Sequence, residues 1–263
     1  MNLIVDLQYF PSIILYENIN RFSNIVFEQY EYYQKMSFRN RCQITGAGGM
    51  INLSIPLEKG RDQKTLLKDV RISDRDDWQG QHWKTILSCY SRSPWLEFYQ
   101  DELEGLYRRR LTFLLDWNLS CFEWSVGVLK MPVSFSLTQE YQKEYGEEDW
   151  ADWRGKILPK NRALLGSVTQ GSQDYTAGSV TLPGQLSTPE PDSDTPVPGF
   201  GNPISSSGIR VPSSGNSFRD PAVGATPIKY RQVFEERIGF LPNLSILDLL
   251  FCEGKNARTL LLK

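Results

Sequence analysis

The sequence is short of the groups that most readily give an enzyme away. Its 263 residues include one histidine, His82, and four cysteines, Cys42, Cys89, Cys121 and Cys252, none paired as CxxC or at ligand spacing from that histidine. Neither a zinc site, a transition-metal centre nor a disulfide framework is expected. Free thiols in a reducing cytosol fit this usage. No run approaches the ~20 apolar residues of a membrane span, and the apolar stretch 244–252 is short and carries Asp248. Asp6 interrupts Leu3-Ile4-Val5 at once, so no leader-like segment is read there. A formal net charge of −2 is far from the basic surface that nucleic-acid binding needs. A Walker loop, a complete dinucleotide fingerprint and a Ser–His–Asp order are also missing, so no cofactor is expected; oxygen-ligated magnesium leaves no spacing signature either way. The expectation is a soluble cytoplasmic protein, not membrane-embedded and not bound to nucleic acid, that handles a small molecule.

What is present suffices for one sizeable core: 40 % of residues are hydrophobic and 12 % aromatic. Residues 2–6 read as a buried strand ended by the turn Tyr9-Phe10-Pro11. A helix over 12–22 and a strand over 23–27 complete a βαβ-type unit. Residues 42–45 and 50–56 form a hairpin, since Ile51, Leu53 and Ile55 alternate with Asn52, Ser54 and Pro56. A phosphate cradle at Gly46-Ala47-Gly48-Gly49 should open a helix; here the loop opens a strand. A short strand over 70–72 precedes a helix capped by Ser73 or Asp74, on which Trp78, His82, Ile86 and Tyr90 share one face. Pro94 begins a longer helix with the stripe Tyr99, Leu103, Leu106, Leu111, Leu114 and Leu115, and 122–129 reads as another. Arg108-Arg109-Arg110 reads as a solvated helix face. The fold class is α/β: an N-terminal βαβ-type unit with a β-hairpin, then a mainly helical half.

Residues 166–227 differ from the rest. They hold nine of the fifteen prolines and neither tryptophan nor lysine, too little apolar surface to offset the entropy of ordering. The domain reading is therefore a core over 1–160, a disordered low-complexity insert over 166–227, and a C-terminal segment, 229–263, packed back on the core. In that segment 245–251 reads as a closing helix capped by Asn243 or Ser245, with Gly254 near its end.

Several patterns together resemble one family: Tyr9-Phe10-Pro11; Lys35 through Asn40-Arg41; Ile55-Pro56-Leu57; Trp78 with His82-Trp83 and Ile86; Ser93-Pro94; and Gly239-Phe240 through Pro242-Asn243-Leu244-Ser245-Ile246-Leu247-Asp248-Leu249-Leu250. In order and spacing they are similar to the WbqC-like family across 2–140 and 229–254. The resemblance implies association with surface-polysaccharide assembly, O-antigen or capsule, and a role in modifying sugars. Many members carry a His-Gln pair just before the aromatic-proline turn, where this chain has Val5 and Asp6. If that histidine is catalytic elsewhere, this chain lacks the chemistry or performs it with Asp6.

Two residues are candidates for catalysis. His82 titrates near neutrality and can act as general acid or base; the plain alternative is a core-edge histidine held by hydrogen bonds. Asp6 stands at the carboxyl end of the first strand, where α/β sheets bind ligands, or else caps the following turn. Arg39 and Arg41, one strand position either side of Asn40 and close to Lys35, would present two guanidiniums to a phosphate or carboxylate, unless they pair with Glu28 and Glu31. Gln8 and Tyr9 at the turn, with Trp78 and Tyr90, complete the substrate-contact candidates, although most aromatic residues of such a chain fill its core. Two functions are expected from this set. One is a transferase acting on an activated sugar, possessing an anionic donor such as a nucleotide-sugar; the other is a non-catalytic glycan- or partner-binding component of the same pathway.

Overall fold

Leu3, Ile4 and Val5 are fully buried, as a strand covered on both faces must be. They form β1 (Asn2–Asp6), which runs parallel to β2 (Asn24–Glu28) in the register Asn2↔Asn24 to Asp6↔Glu28. Between them lies α1 (Ile13–Ile19), shorter than expected because Arg21 and Phe22 turn back onto Asn18 and Ile19. A computed structural model describes residues 1–161, 165–166, 222–223 and 226–262. The insert over 166–227 falls almost wholly outside the described residues. Those described belong to one unit, Met1–Val168 with Asn216–Lys263.

The hairpin forms as read, from β3 (Arg41–Gly46) and β4 (Gly49–Ser54) in antiparallel register. The segment over 70–72 is not a strand. A 3₁₀ turn, Leu67–Asp69, precedes it, and only the isolated bridges Leu57↔Ile72 and Arg71↔Phe113 form there. The cap of α2 (Trp78–Tyr90) is Asp77, which accepts from the Gly80 amide at 3.2 Å, not Ser73 or Asp74. Ser73 is held in extended chain by its amide bond to the Pro56 carbonyl.

The long stripe breaks in two, into α3 (Leu96–Tyr107) and α4 (Leu114–Leu129). Pairing with residues 70–72 wins over helix there: Ile72 donates to the Thr112 carbonyl and Leu114 to the Val70 carbonyl, both at 2.9 Å. Arg108-Arg109-Arg110 thus caps α3 and enters a loop instead of forming a helix face. Gln79 fastens that loop to α2 through the Arg109 carbonyl and the Arg110 guanidinium.

Two further strands were not anticipated, β5 (Phe135–Leu137) and β6 (Trp150–Asp152). They complete a four-stranded parallel sheet in the order β5-β2-β1-β6. The chain steps outward from β1 to β2 to β5, then returns to the far side of β1, so the strand order reverses between β1 and β6. Two short antiparallel strands, β7 (Leu165–Gly166) and β8 (Ala222–Val223), pair with each other.

The C-terminal segment supplies α5 (Glu235–Ile238), α6 (Ile246–Glu253) and α7 (Asn256–Leu261). Its contacts clamp the Tyr9–Pro11 turn. Ser245 Oγ donates to the Phe10 carbonyl, Ile246 donates to Pro11, and Ile13 to Leu244, each at 2.9 Å. Phe10 needs that support, since its φ of 39° is unusual for a non-glycine residue. Among the described residues no helix is long and apolar enough to cross a membrane.

Candidate functional site

A parallel sheet ends all its strands at one edge, and here that edge is ionic. Register sets Asp6 beside Glu28, Thr138 follows β5 beside β2, and Arg154 and Gly155 follow β6 beside β1. Thr138 Oγ1 donates to Glu28 Oε1 at 3.0 Å. The Gly155 amide donates to Asp6 Oδ2 at 2.8 Å. Arg154 donates to Asp152 at 2.6 Å and to Glu28 at 3.4 Å, and its guanidinium stacks near Tyr141 and Tyr145. From the loop after β2, Arg39 donates to Asp6 Oδ1 at 2.6 Å and to Glu31 Oε2.

Four carboxyl groups, Asp6, Glu28, Glu31 and Asp152, thus share two guanidiniums. The surplus of carboxyl over cation leaves this row unsuited to hold an anion. Burial raises the Asp6 carboxyl above its ordinary range, against the pull of Arg39 and the Gly155 amide. Glu31 is raised likewise by burial, opposed by Arg39. Burial also acts to raise Asp152, but its hydrogen bonds and charge pairing with Arg154 hold it lower than usual. Within the Arg39 cluster, Arg39 and Asp6 are sealed, with 1 % and 4 % of their side chains exposed, whereas Glu31 keeps 18 % and so touches solvent.

Arg39 Nη1 also donates to Gln34 at 3.3 Å. Gln34 in turn lines a shallow cavity of ≈ 470 Å³ with Tyr33, Lys35, Arg61, Asp62 and Gln63. Lys35 pairs with Asp62 at 2.5 Å on this open rim. Acceptor groups on the sheet edge are thus linked through one glutamine to a cavity bearing two cations.

The sequence candidates divide. Asp6 and Arg39 are brought together, and Lys35 stands at the adjoining cavity. Arg39 and Arg41 do not form a pair for one anion: β3 begins only at Arg41, and Arg39 is engaged by carboxylates. Arg41 is partly exposed, with Nε unpartnered among the described residues. Asn40 bridges the Tyr33 hydroxyl and the Ile55 carbonyl, while Gln8 accepts from the Ser12 amide.

His82 lies elsewhere, 7 % exposed. Its Nδ1 is 3.0 Å from the Tyr9 hydroxyl, which meets the Tyr107 hydroxyl at 2.6 Å. Trp78 packs edge-on against the ring at 5.2 Å. Burial lowers the imidazole to about 4, with the Ser54 carbonyl pulling the other way. None of these partners belongs to the ionic row. Tyr90 is in a third place, donating to Asp248 Oδ1 at 2.5 Å. Thr45, Tyr230 and Gln232 complete the donors to that fully buried carboxyl, all four of them uncharged.

Sequence reasoning missed Asp152, the last residue of a strand too short to declare itself, and Arg154 just beyond it. It named Glu31 only as a pairing partner. The signal that could have found the row is a carboxylate closing each of two apolar strands, Asp6 and Glu28.

Fold and edge together define a class: an open parallel α/β body whose polar groups gather at the carboxyl ends of its strands, where the strand order reverses. Over residues 8–177 the chain matches the model described as the WbqC-like protein family, and it belongs to that family. The match stops short of the C-terminal segment. Comparison with curated proteins and with solved structures gave no match.

Proposed function

We propose that this protein is a cytoplasmic transferase that modifies an activated sugar during surface-polysaccharide assembly, working at the carboxyl edge of its parallel sheet. The observation that carries this is the junction of Glu31, held by Arg39, with the cavity of Lys35 and Arg61. Transfer to a sugar hydroxyl or amine needs a base to take its proton and cations to hold the anionic part of the donor. Glu31 is the partly exposed carboxylate of the Arg39 cluster, with its basicity raised by burial. Lys35 and Arg61 supply the charge for a donor phosphate. Arg39 and Asp6 position Glu31. His82, with Tyr9 and Trp78 around it, serves as a buried hydrogen-bonding group in this scheme, not as the acid or base.

A second function, binding a glycan or a partner without catalysis, is favoured by the full engagement of Arg39 and Asp6 in one another. Two measurements separate them. A nucleotide-sugar should raise the melting temperature of the wild type, and Lys35→Ala with Arg61→Ala should remove that rise. Glu31→Gln should keep the rise but fail to restore polysaccharide to a null strain. Full restoration by Glu31→Gln would leave the binding function standing alone.

A further inference from the structure

A cleft of ≈ 690 Å³ shares no residue with the ionic edge or its cavity. It lies between α3, α4 and the corner joining α6 to α7, and its size is that of a small-molecule site. Four aromatic rings wall it. Trp95 packs on Phe98 at 4.9 Å between ring centroids, and Tyr99 meets Trp124 edge-on at 6.2 Å. Phe98 is 69 % exposed, and with Trp95 against it gives the cleft a contiguous apolar wall. Glu102, on α3, fixes the Trp124 indole by accepting from Nε1 at 3.0 Å, and Glu123, on α4, lines the same cleft.

Three cations complete the lining: Lys130, Lys255 and Arg258. Each lacks an ion-pair partner among the described residues. Lys130 ends α4 with φ 51° and ψ 40°, a left-handed conformation in which glycine is least strained.

We infer that this cleft binds a pyranose bearing a phosphate or a carboxylate. The apolar face of the sugar lies on the rings, Glu102 and Glu123 accept from its hydroxyls, and the cations meet its anion. An acyl chain would offer no polar group to the two carboxylates or the three cations. The inference rests on the sugar-handling function proposed above, but not on where the transfer takes place.

The test is a titration of the full-length protein followed by tryptophan emission, to which Trp95 and Trp124 contribute two of seven indoles, and by saturation-transfer NMR. The probes are the 1-phosphates of glucose, galactose and N-acetylglucosamine, and glucuronic and galacturonic acids, against neutral glucose and inorganic phosphate. At least one anionic sugar should bind saturably and tenfold or more tightly than either control. Phe98→Ala and Arg258→Gln should each weaken it about tenfold, and Glu31→Gln should leave it unchanged. Silence from all five anionic sugars overturns the inference, as does phosphate binding as tightly as the sugar phosphates. Binding that survives both cleft variants but is lost in Lys35→Ala with Arg61→Ala assigns the sugar to the cavity at the sheet edge, which defeats this site and leaves the proposed function intact.

Discussion

Arg39 donates to Asp6 at 2.6 Å, fastening the loop after β2 to the end of β1 with both side chains out of solvent. The pair has a second carboxylate, Glu31, on the same guanidinium. Removing the cation would strand the buried Asp6 carboxyl and the half-buried Glu31. Arg39→Met should therefore cost about 3–5 kcal/mol in denaturant unfolding. Adding Asp6→Asn should recover part of that loss, since the two sites are coupled. Strict additivity of the two changes would sink this account.

His82 provides a pH signature. Its ordinary value is 6.5 and burial takes it to about 4 in the folded protein. Between those values the unfolded chain binds a proton that the folded ring refuses. Its contribution is therefore intact above pH 6.5 and is lost as pH falls towards 4, by about 3 kcal/mol in all at ~1.36 kcal/mol per pH unit. Asp6, Glu31 and Asp248 are raised and act with the opposite sign, favouring the fold at low pH. The clean measurement is the stability of the wild type minus that of His82→Gln at each pH. That difference should fall through this window, and a flat difference would show the ring to be accessible.

The Asp248 carboxyl predicts a weakness in the C-terminal segment. Tyr230→Phe removes one of two donors to Oδ2. The expected cost is about 1.5–3 kcal/mol, with faster amide exchange across 230–241 than across β1. Equal protection in variant and wild type would contradict it.

Gly254 closes α6 at φ 53°, and a Cβ there would stand 2.1 Å from the Trp95 ring. Gly254→Ala should destabilise by about 1–3 kcal/mol through overpacking and backbone strain. A shift in tryptophan emission should accompany it; an alanine protein of unchanged stability and emission would refute the contact.

β7 and β8 lie side by side, with Leu165 opposite Val223. Replacing 167–221 by a loop of a few residues should leave cooperative unfolding in place. Each halving of a loop relieves about 0.6 kcal/mol, so a gain of up to ~2 kcal/mol is expected. Loss of the cooperative transition would reject the insert reading.

Some of this was legible in the chain. β1 and its parallel partner show because Leu3-Ile4-Val5 and Ile25-Val26-Phe27 are buried on both faces. The hairpin shows through alternation. Phe135–Leu137 and Trp150–Asp152 do not show, because three residues cannot display a period and their pairing is decided by the sheet. Asp6 was legible as the carboxylate closing an apolar strand. Arg39 was read in register with Arg41, but strand geometry starts two residues later, and a turn with Met36 at φ 60° precedes it. Asp248 appeared only as a flaw in an apolar run, since its donors come from positions up to 203 residues away.

The sheet ends on both sides in a strand of three residues. Edge strands recruit other chains in proportion to the unpaired backbone they display. Here each margin offers only a brief row of free amides and carbonyls, too short a template for another molecule to extend. The longer central strands β1 and β2 are already satisfied on both sides. Self-association through the edges of this parallel sheet is thus disfavoured by its own geometry.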